Sequence, residues 1–350
     1  MRRFSQAGDA GILLQHQPAL LLDYAYGSEF DVAILLRDTG LRLQDFTGEN
    51  TCISALQYLQ LLTNLIGGLR SSDTSFMLGQ QMLPGHVGDV SHALLQAQNL
   101  RQALHILASH HARLCPLLCP RLSEGEGLTV LYWTDSFGAP ALRPALVEMH
   151  MTAVVAMCRW LSGAPLAWRF CFNRSRARHT EQHEVHLGSE LRFNCHFDAM
   201  LIDSASMDKP WPRGNATAAA TALRRAEQDA ERQTSHASVL DVLYDYLLEH
   251  IRCTPTLDNT ASAFGVSPAT MKRYLLKHGT HFQAELDQVR THVALYLFQT
   301  RRYDNEAVAQ HLGFHDANNF RRSFKRWTGL TPSLLRDGLM TDAAPLHCRS

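Results

Sequence analysis

A chain of 350 residues, 45% of them hydrophobic and 19% charged, is neither disordered nor fibrous in composition, and its length accommodates two or three globular domains. The 33 basic and 33 acidic side chains cancel, so the overall charge by itself does not indicate a polyanionic partner. Eight cysteines without paired spacings favour reduced thiols, and no apolar run approaches the roughly 20 residues that span a bilayer, so we expect a cytoplasmic protein without membrane contact.

Residues 1–206 are predicted to form a mixed α/β (α+β) domain. Apolar residues at helical spacing indicate its helices, and short runs rich in aromatic and apolar residues indicate its strands. The strand–helix–strand order with further helices suggests a sensor-like domain. The predicted helices cover 51–69, ending at Gly67 and Gly68, then 99–114, and 145–163, closing at Gly163; the predicted strands cover 127–133, 166–172 and 191–197.

Two groups of side chains in this domain have spacings that metal ligands can use. His111, Cys115 and Cys119 would align on an unbroken helix, but a proline interrupts it, so core packing is favoured over a metal or redox site. His183 and His186 in "HEVH" lack the helical context of a metalloprotease motif and are expected on a loop or strand. We therefore predict no metal ligand and no cofactor.

Prolines, a glycine and then an alanine-rich charged helix mark residues 207–235 as a linker. Beyond it the periodicity is helical throughout, starting with an apolar face that runs from Val239 to Ile251. We expect an all-α domain over 236–340 and a short tail over 341–350.

A spacing of Ala, three residues and Gly occurs twice in this all-α part. Ala261 precedes Gly265, and Ala309 precedes Gly313 by the same interval, 48 residues later (309 − 261). In a helix-turn-helix the small alanine permits close approach of two helices, and the glycine supplies the positive φ of the tight turn. Two helix-turn-helix units, about 256–277 and 304–327, are therefore predicted, joined by a linker helix over roughly 282–299.

The helix after the second turn, "NNFRRSFKRW", has two different faces. Phe320, Phe324 and Trp327 lie at i, i+4 and i+7 and would face a core, while its basic residues lie on the other sides. From 251 to 340 there are 12 basic and 7 acidic residues, a net +5, so the rest of the neutral chain carries −5. This distribution favours a nucleic-acid partner for the C-terminal part.

With these motifs the chain resembles the AraC/XylS family of bacterial transcription regulators. The resemblance is strong over about 256–336 and looser before it, where 187–211 is similar to the sensor domain of one family branch. Thr260 and Asn305 depart from the family pattern, which usually has an apolar residue on the first helix of each unit. The matching signature consists of Leu312, Gly313, Phe314, Phe320, Phe324, Lys325, Arg326, Trp327, Gly329, Pro332 and Arg336.

The resemblance implies roles in DNA binding, position by position. Arginine can bond guanine and asparagine can bond adenine, in each case through two atoms. Lysine and arginine side chains that face the DNA backbone instead hold phosphates and make binding depend on salt. The implied base-facing residues are Ala269, Lys272 and Arg273 in the first unit and Asn318, Asn319 and Arg322 in the second; the implied phosphate contacts are Lys277, Arg321, Lys325 and Arg326.

The resemblance also implies promoter DNA as the main partner, RNA polymerase as a second, and a small-molecule effector at the N-terminal domain. It assigns residues 1–206 to effector sensing or dimerisation, and with dimerisation it implies a homodimer. Activation is expected because activators dominate the family. Tyr24, Tyr26, Trp133, Trp160 and Trp168 could line the effector pocket, although aromatic residues at such positions are more often core.

Two other functions stay open at the level of the sequence. One is an architectural or dimerisation-controlled DNA binder without a ligand, and the other is an enzyme domain fused to a DNA-binding tail. The chain has no P-loop, no Gly-x-Ser-x-Gly and no nucleophile next to a suitable base, so we predict that it is not an enzyme.

Overall fold

The computed structural model describes residues 4–48, 50–176, 179–232, 237–329 and 331–332. The chain forms two compact units: the first holds the residues up to Val242 together with Tyr274–Gly279, and the second holds Leu243–Arg273 and the residues from Thr280 onwards. The predicted junction at residue 235, Arg336 and the tail over 341–350 lie outside the described residues. Among the helices described, none is both long enough and apolar enough to cross a bilayer.

The first unit is mixed α/β, as predicted. Its strands are β1 Ala10–Leu13, β2 Cys52–Ser54, β3 Leu118–Glu124, β4 Leu128–Asp135, β5 Arg169–Cys171, β6 Leu191–Arg192 and β7 Ala199–Asp203. Its helices are α1 Gln17–Gly27, α2 Val32–Leu35, α3 Ala55–Leu69, α4 Thr74–Met82, α5 Asp89–Leu95, α6 Leu100–Ser109, α7 His111–Leu114, α8 Arg143–Ser162, α9 Glu181–Leu187 and α10 Ala216–Arg232, with short 3₁₀ turns at Leu43–Thr47 and Ser204–Ser206.

Five strands form one sheet in the order β3-β4-β7-β5-β6, and β1 pairs with β2 separately. All neighbours in the large sheet are antiparallel except β5 and β6. The predicted strand at 127–133 corresponds to β4, which contributes the buried Leu131 and Trp133 to the core. The predicted strands at 166–172 and 191–197 are reduced to the short β5 and β6.

Helices α4 and α8 pack at very short range in the core of this unit. A Cβ atom on Gly79 of α4 would lie 2.4 Å from the carbonyl oxygen of Met149 of α8, a distance that backbone atoms do not tolerate. The predicted end of α8 at Gly163 is confirmed, since this residue caps the helix with φ 76°. Glycine is therefore required at both positions, once for close approach and once for its backbone conformation.

Helix α3 does not end at Gly67 and Gly68 as predicted. It continues to Leu69, and Arg70 caps it in the left-handed region with φ 51°. Gly68 makes room for the ring of Phe30, since a Cβ atom there would lie 2.4 Å from Phe30 Cζ. Gly68 thus permits side-chain packing at the last turn, and the glycine pair does not stop the helix.

The helix predicted over 99–114 is broken at His110, whose backbone is not helical, and it becomes α6 and α7. The unbroken helix needed to align His111, Cys115 and Cys119 does not form, because α7 ends before Cys115 and Cys119 lies in β3. The prolines that follow cannot donate the backbone hydrogen bonds of a continuing helix.

His183 and His186 lie on helix α9, so their assignment to a loop or strand was wrong. Their three-residue spacing places both on one face of the helix, and both rings contact Phe76 with centroids 5.0 Å away. Helix α10 is the predicted alanine-rich helix; it packs on α5 and buries Ala219 and Ala222.

The second unit is all-α in the described residues, as predicted. Its elements are α11 Val239–Glu249, which starts in the first unit, a 3₁₀ turn Ile251–Cys253, α12 Leu257–Ala263, α13 Pro268–Lys277, whose last residues group with the first unit, α14 Phe282–Thr300, α15 Asn305–His311 and α16 Ala317–Thr328.

A largely buried polar cluster connects α4, α8 and α9 in the first unit. Glu148 accepts hydrogen bonds from Ser75 Oγ and from Arg174 Nη2, both at 2.5 Å, and His183 Nε2 lies 3.2 Å from the same carboxylate. Burial raises the pKa of Glu148, but the hydrogen bond from His183, the Arg174 charge and the Ser75 hydroxyl outweigh it and hold that pKa below its usual value of 4.5.

We expect Glu148→Gln to lower the free energy of unfolding by roughly 1–3 kcal/mol at pH 7, because Arg174 loses a partly buried partner. The folded-state pKa of Glu148 is depressed, so its contribution is present above pH 4.5 and is lost as the pH falls through the folded pKa. The difference between the two proteins should therefore shrink below pH 4.5. Denaturant unfolding at a series of pH values measures it.

Glu184→Gln on α9 is the matched control. Glu184 is exposed and lies 3.7 Å from the exposed Arg176, and such pairs contribute little. A Glu148→Gln effect of the same size at pH 7 and at pH 3, or one no larger than that of the control, would contradict the role given to this cluster.

Candidate nucleic-acid interface

The two predicted helix-turn-helix units have the same turn geometry. Gly265 has φ 69° and Gly313 has φ 75°, both in the left-handed region that the prediction required. The residue after each glycine donates its backbone N–H to the carbonyl of the small alanine: Val266 N to Ala261 O at 3.0 Å and Phe314 N to Ala309 O at 2.9 Å. The duplicated sequence pattern therefore corresponds to a duplicated hydrogen-bond pattern.

Both alanines are buried at these turns. Ala261 is 0% exposed and Ala309 is 2% exposed, so a larger side chain at either position would push two helices apart. The hydrophobic residue just before each glycine, Phe264 or Leu312, is also fully buried. Two helices thus approach closely around a small residue in both helix-turn-helix units.

The second helix of each helix-turn-helix unit starts at a capping side chain. Ser267 Oγ accepts a hydrogen bond from Thr270 N at 3.1 Å ahead of α13. Asp316 Oδ1 accepts one from Asn319 N at 2.7 Å ahead of α16. Each cap satisfies a backbone donor at the helix start and so determines where the helix begins.

Helix α16 has the two faces that its sequence predicts. Phe320 and Phe324 are fully buried, and Phe324 packs edge-on against Phe298 of α14 with ring centroids 5.9 Å apart. Trp327 is partly buried and lies 5.8 Å from the ring of Phe314. These aromatic contacts fix the rotation of α16 about its axis, which leaves its basic face towards solvent.

All ten residues with an implied DNA role are exposed. They are Ala269, Lys272, Arg273, Lys277, Asn318, Asn319, Arg321, Arg322, Lys325 and Arg326. The structure does not test these roles, but it shows that each side chain is accessible. Lys277 belongs to the segment Tyr274–Gly279 that groups with the first unit.

These side chains differ in what already holds them. Within the described residues, the side chains of Lys272, Arg273, Arg322 and Lys325 have no hydrogen bond or ion pair. Arg321 donates a hydrogen bond to Asn318 Oδ1 at 2.7 Å, and the side chain of Asn319 donates one to Asp316 Oδ2 at 2.8 Å. A polyanion can bind these four cations without breaking a contact within the protein.

Two residues of α14 were missed by the sequence analysis. Asp287 Oδ2 lies 3.8 Å from Arg326 Nη2, and the guanidinium of Arg290 lies over the ring of Phe314 at 5.3 Å from its centroid. Their three-residue spacing was visible in the sequence, but their contacts with Arg326 and Phe314 depend on tertiary packing. They connect the linker helix α14 to the second helix-turn-helix unit.

The aromatic residues considered for an effector pocket are divided between core and surface. Trp133 and Trp168 are buried, whereas Tyr26 and Trp160 are about half exposed. Trp168 contributes to the lining of a surface groove of about 330 Å³, together with Arg159 and Glu184. This volume is at the lower end of the range for small-molecule sites.

Comparisons with known proteins agree with the division of the chain into two compact units. Residues 30–211, just over half of the chain, match the family model described as the N-terminal arabinose-binding domain of AraC transcription regulators. Residues 260–338 match a helix-turn-helix domain. The chain belongs to the AraC family of transcription regulators.

Three known proteins are similar to this chain over most of its length. An ornithine utilization regulator of Pseudomonas aeruginosa is 25% identical over 293 residues, which cover 82% of this chain and 85% of that protein. An uncharacterised helix-turn-helix transcriptional regulator of Mycobacterium tuberculosis is 21% identical over 86% of this chain and 89% of its own length. The crystal structure of the transcriptional regulator CdpR of P. aeruginosa covers 92% of this chain and 98% of its own at 17% identity, with a TM-score of 0.43.

The family membership establishes the coarse function. The protein is a helix-turn-helix regulator of transcription that binds DNA through its C-terminal part and carries a ligand-binding N-terminal domain.

Thr260 and Asn305, the two departures from the family pattern, have buried polar atoms. Thr260 is fully buried on α12, and its Oγ1 has no hydrogen-bond partner among the described residues. Oδ1 of the half-buried Asn305 on α15 is in the same situation. A buried polar group without a partner lowers stability by roughly 1–3 kcal/mol.

We expect Thr260→Val to raise the free energy of unfolding by about 1 kcal/mol, because valine has the same shape without the unpaired hydroxyl. Thr256→Val on the same helix is the matched control. Thr256 Oγ1 caps α12 by accepting a hydrogen bond from Asn259 N at 3.3 Å, so this variant should lose about 1 kcal/mol. Denaturant unfolding of both variants decides the matter, and a loss of stability in Thr260→Val would contradict the assignment.

Proposed function

We propose that this regulator reads two adjacent major-groove segments of promoter DNA, one with α13 and one with α16, and that it activates transcription when an effector binds its N-terminal domain. The observation that supports this proposal best is the repeated turn geometry, with exposed and unpaired cations on the second helix of each unit. On this proposal the N-terminal domain does no catalysis.

The length of α14 fits a reader of two groove segments. Its 19 residues correspond to about 28 Å at 1.5 Å per residue. Successive major-groove faces on one side of B-DNA are about 34 Å apart. A linker helix of this size is comparable with the spacing that two recognition helices must have.

In the second helix-turn-helix unit, base reading is assigned first to Arg322 on α16. Its guanidinium has no partner within the described residues, so it can bond guanine O6 and N7 without losing a contact. Asn318 can read adenine only if its Oδ1 is released by, or shared with, Arg321. Asn319 is held by the cap residue Asp316 through two hydrogen bonds, which favours a role in fixing the helix start.

The phosphate contacts are assigned to the cations around these base readers. Lys325 is exposed and unpaired in the described residues, whereas Arg321 and Arg326 each lie near a partner on the protein. Lys277 completes this set, while Ala269, Lys272 and Arg273 on α13 are the base-facing residues of the first helix-turn-helix unit. Such contacts position the protein on the duplex and make affinity depend on salt.

Effector control follows from the two-domain organisation of the family. An effector changes DNA binding only if it binds one state of the protein better than another. A relative is named for ornithine utilization, so ornithine is the first compound to test. The proposal further includes RNA polymerase as a partner, a homodimer as the active form, and the cytoplasm, where the DNA lies, as the location.

A selection from a randomised duplex pool at two salt concentrations tests the proposal as a whole. We expect enrichment of a motif with two contacted blocks about one helical turn apart. Salt-sensitive binding without an enriched motif, both with and without ornithine, would contradict sequence reading and favour an architectural DNA binder.

Arg322→Ala and Lys325→Ala separate base reading from phosphate contact on a single helix. Arg322→Ala should lose roughly 1–3 kcal/mol on the selected sequence and relax specificity at one base pair. Lys325→Ala should weaken selected and random DNA alike and reduce the slope of log K against log salt by about 1. Binding titrations with both duplexes at several salt concentrations measure this.

The two variants control for each other, because both remove one exposed cation from α16. Equal losses on selected and random DNA for Arg322→Ala would refute its base-reading role. A loss confined to the selected sequence for Lys325→Ala would exchange the two roles.

A further inference from the structure

Three side chains that are far apart in the sequence meet inside the first unit. His111 lies in α7, Cys119 lies in β3 and Asp241 lies in the first turn of α11. Each offers one ligand atom, and these three atoms lie within 4.8 Å of one another. Cys115, which the sequence spacing had placed with His111 and Cys119, does not belong to this group.

The imidazole of His111 is oriented for metal binding. Its Nδ1 lies 3.0 Å from the carbonyl oxygen of Ala108. A carbonyl can only accept, so Nδ1 carries the proton and the neutral ring presents the lone pair of Nε2 to the cluster. Nε2 is buried, has no hydrogen-bond partner among the described residues and lies 3.6 Å from Asp241 Oδ2.

The carboxylate of Asp241 is also held in place by its neighbours. Ser136 Oγ donates a hydrogen bond to Oδ1 at 3.0 Å, and Ser238 N donates one to Oδ2 at 3.1 Å. These bonds leave a lone pair on Oδ2 for a further partner on the side of His111. Asp241 is 2% exposed and Cys119 is 3% exposed, so both ligand candidates are fixed in the interior.

We propose that His111 Nε2, Cys119 Sγ and Asp241 Oδ2 bind one divalent metal ion of the zinc class. Imidazole, thiolate and carboxylate together form a donor set that zinc accepts. Bond lengths of about 2.0–2.3 Å in a tetrahedral site place ligand atoms roughly 3.3–3.7 Å apart. The separation of 3.6 Å between Nε2 and Oδ2 already has this size.

Asp241 also lines a small cavity. Its volume is about 20 Å³, and its lining includes Ala112, Phe137 and Ser238. A cavity of this size has room for one water molecule, and on the proposal a water molecule is the fourth ligand of a four-coordinate site. Binding releases the proton of the Cys119 thiol to solvent, since a thiolate is the ligand.

Without a metal ion the same place suits a proton on His111. Burial lowers the pKa of His111, but Cys119 and Asp241 outweigh it and raise that pKa well above its usual value. The positive charge of Arg121, which donates a hydrogen bond to the backbone carbonyl of Asp241 at 3.3 Å, opposes a second cation nearby. A protonated His111 paired with Asp241 is therefore the competing outcome of the test.

Cobalt(II) is the probe, used with the reduced, chelator-treated full-length protein. We expect a sulfur-to-cobalt charge-transfer band and the visible bands of a four-coordinate ion, saturating at one equivalent per chain and abolished by added zinc. Cys119→Ser should remove the charge-transfer band. Ser136→Ala keeps all three ligands but releases Asp241 Oδ1, and it should weaken metal binding by about 10–100-fold.

Cys158→Ser is the matched control, because Cys158 is equally buried but lies on α8 away from the cluster. This variant should keep the band. A band that survives in Cys119→Ser would mean adventitious thiol binding and would overturn the proposal, as would the absence of any band in the folded parent protein. Should Cys119→Ser fail to fold, an unchanged cobalt affinity in Ser136→Ala would also count against the site.

Discussion

The close approach of two helices around a small residue is the constraint on which each DNA-binding unit depends. Ala261 and Ala309 are buried where the two helices meet. Gly265 and Gly313 take a left-handed backbone conformation that costs other residues roughly 1 kcal/mol or more. The hydrogen bond back to the alanine carbonyl then fixes the angle at which the second helix leaves the turn. If either residue were larger, the recognition helix would start in a different direction.

Once the turn is set, aromatic packing determines which side chains of α16 can meet DNA. Phe320 and Phe324 are buried against α14, and their positions at i and i+4 leave the intervening residues on the outside. The cations on that outer face repel one another, which costs some stability at low salt. This cost is consistent with a surface shaped for a polyanion. This local excess of positive charge does not appear in the net charge of the whole chain, because the rest of the chain is acidic.

Local patterns explain why the second unit could be predicted in detail and the first could not. Turn glycines, caps and helical periodicity are encoded within about ten residues, and they recur 48 residues apart. The large sheet instead depends on pairs such as β4 with β7, which lie about 70 residues apart in the chain. Nothing near His183 signalled that it would lie on a helix beside Phe76. Likewise, Asp241 is 122 residues from Cys119 (241 − 119), so no spacing rule could have joined them.

Hydrogen bonds within α16 bear on how specificity would arise. A side chain that already has a protein partner must break or share that contact before it reads a base, so its net gain is the difference between two hydrogen bonds. Asn318 and Asn319 are in this position, whereas Arg322 is not. On the proposed mode of binding, Arg322 therefore supplies most of the discrimination between bases in the second helix-turn-helix unit. The asparagines would contribute by holding the helix start and its neighbouring cation in the geometry that the arginine needs.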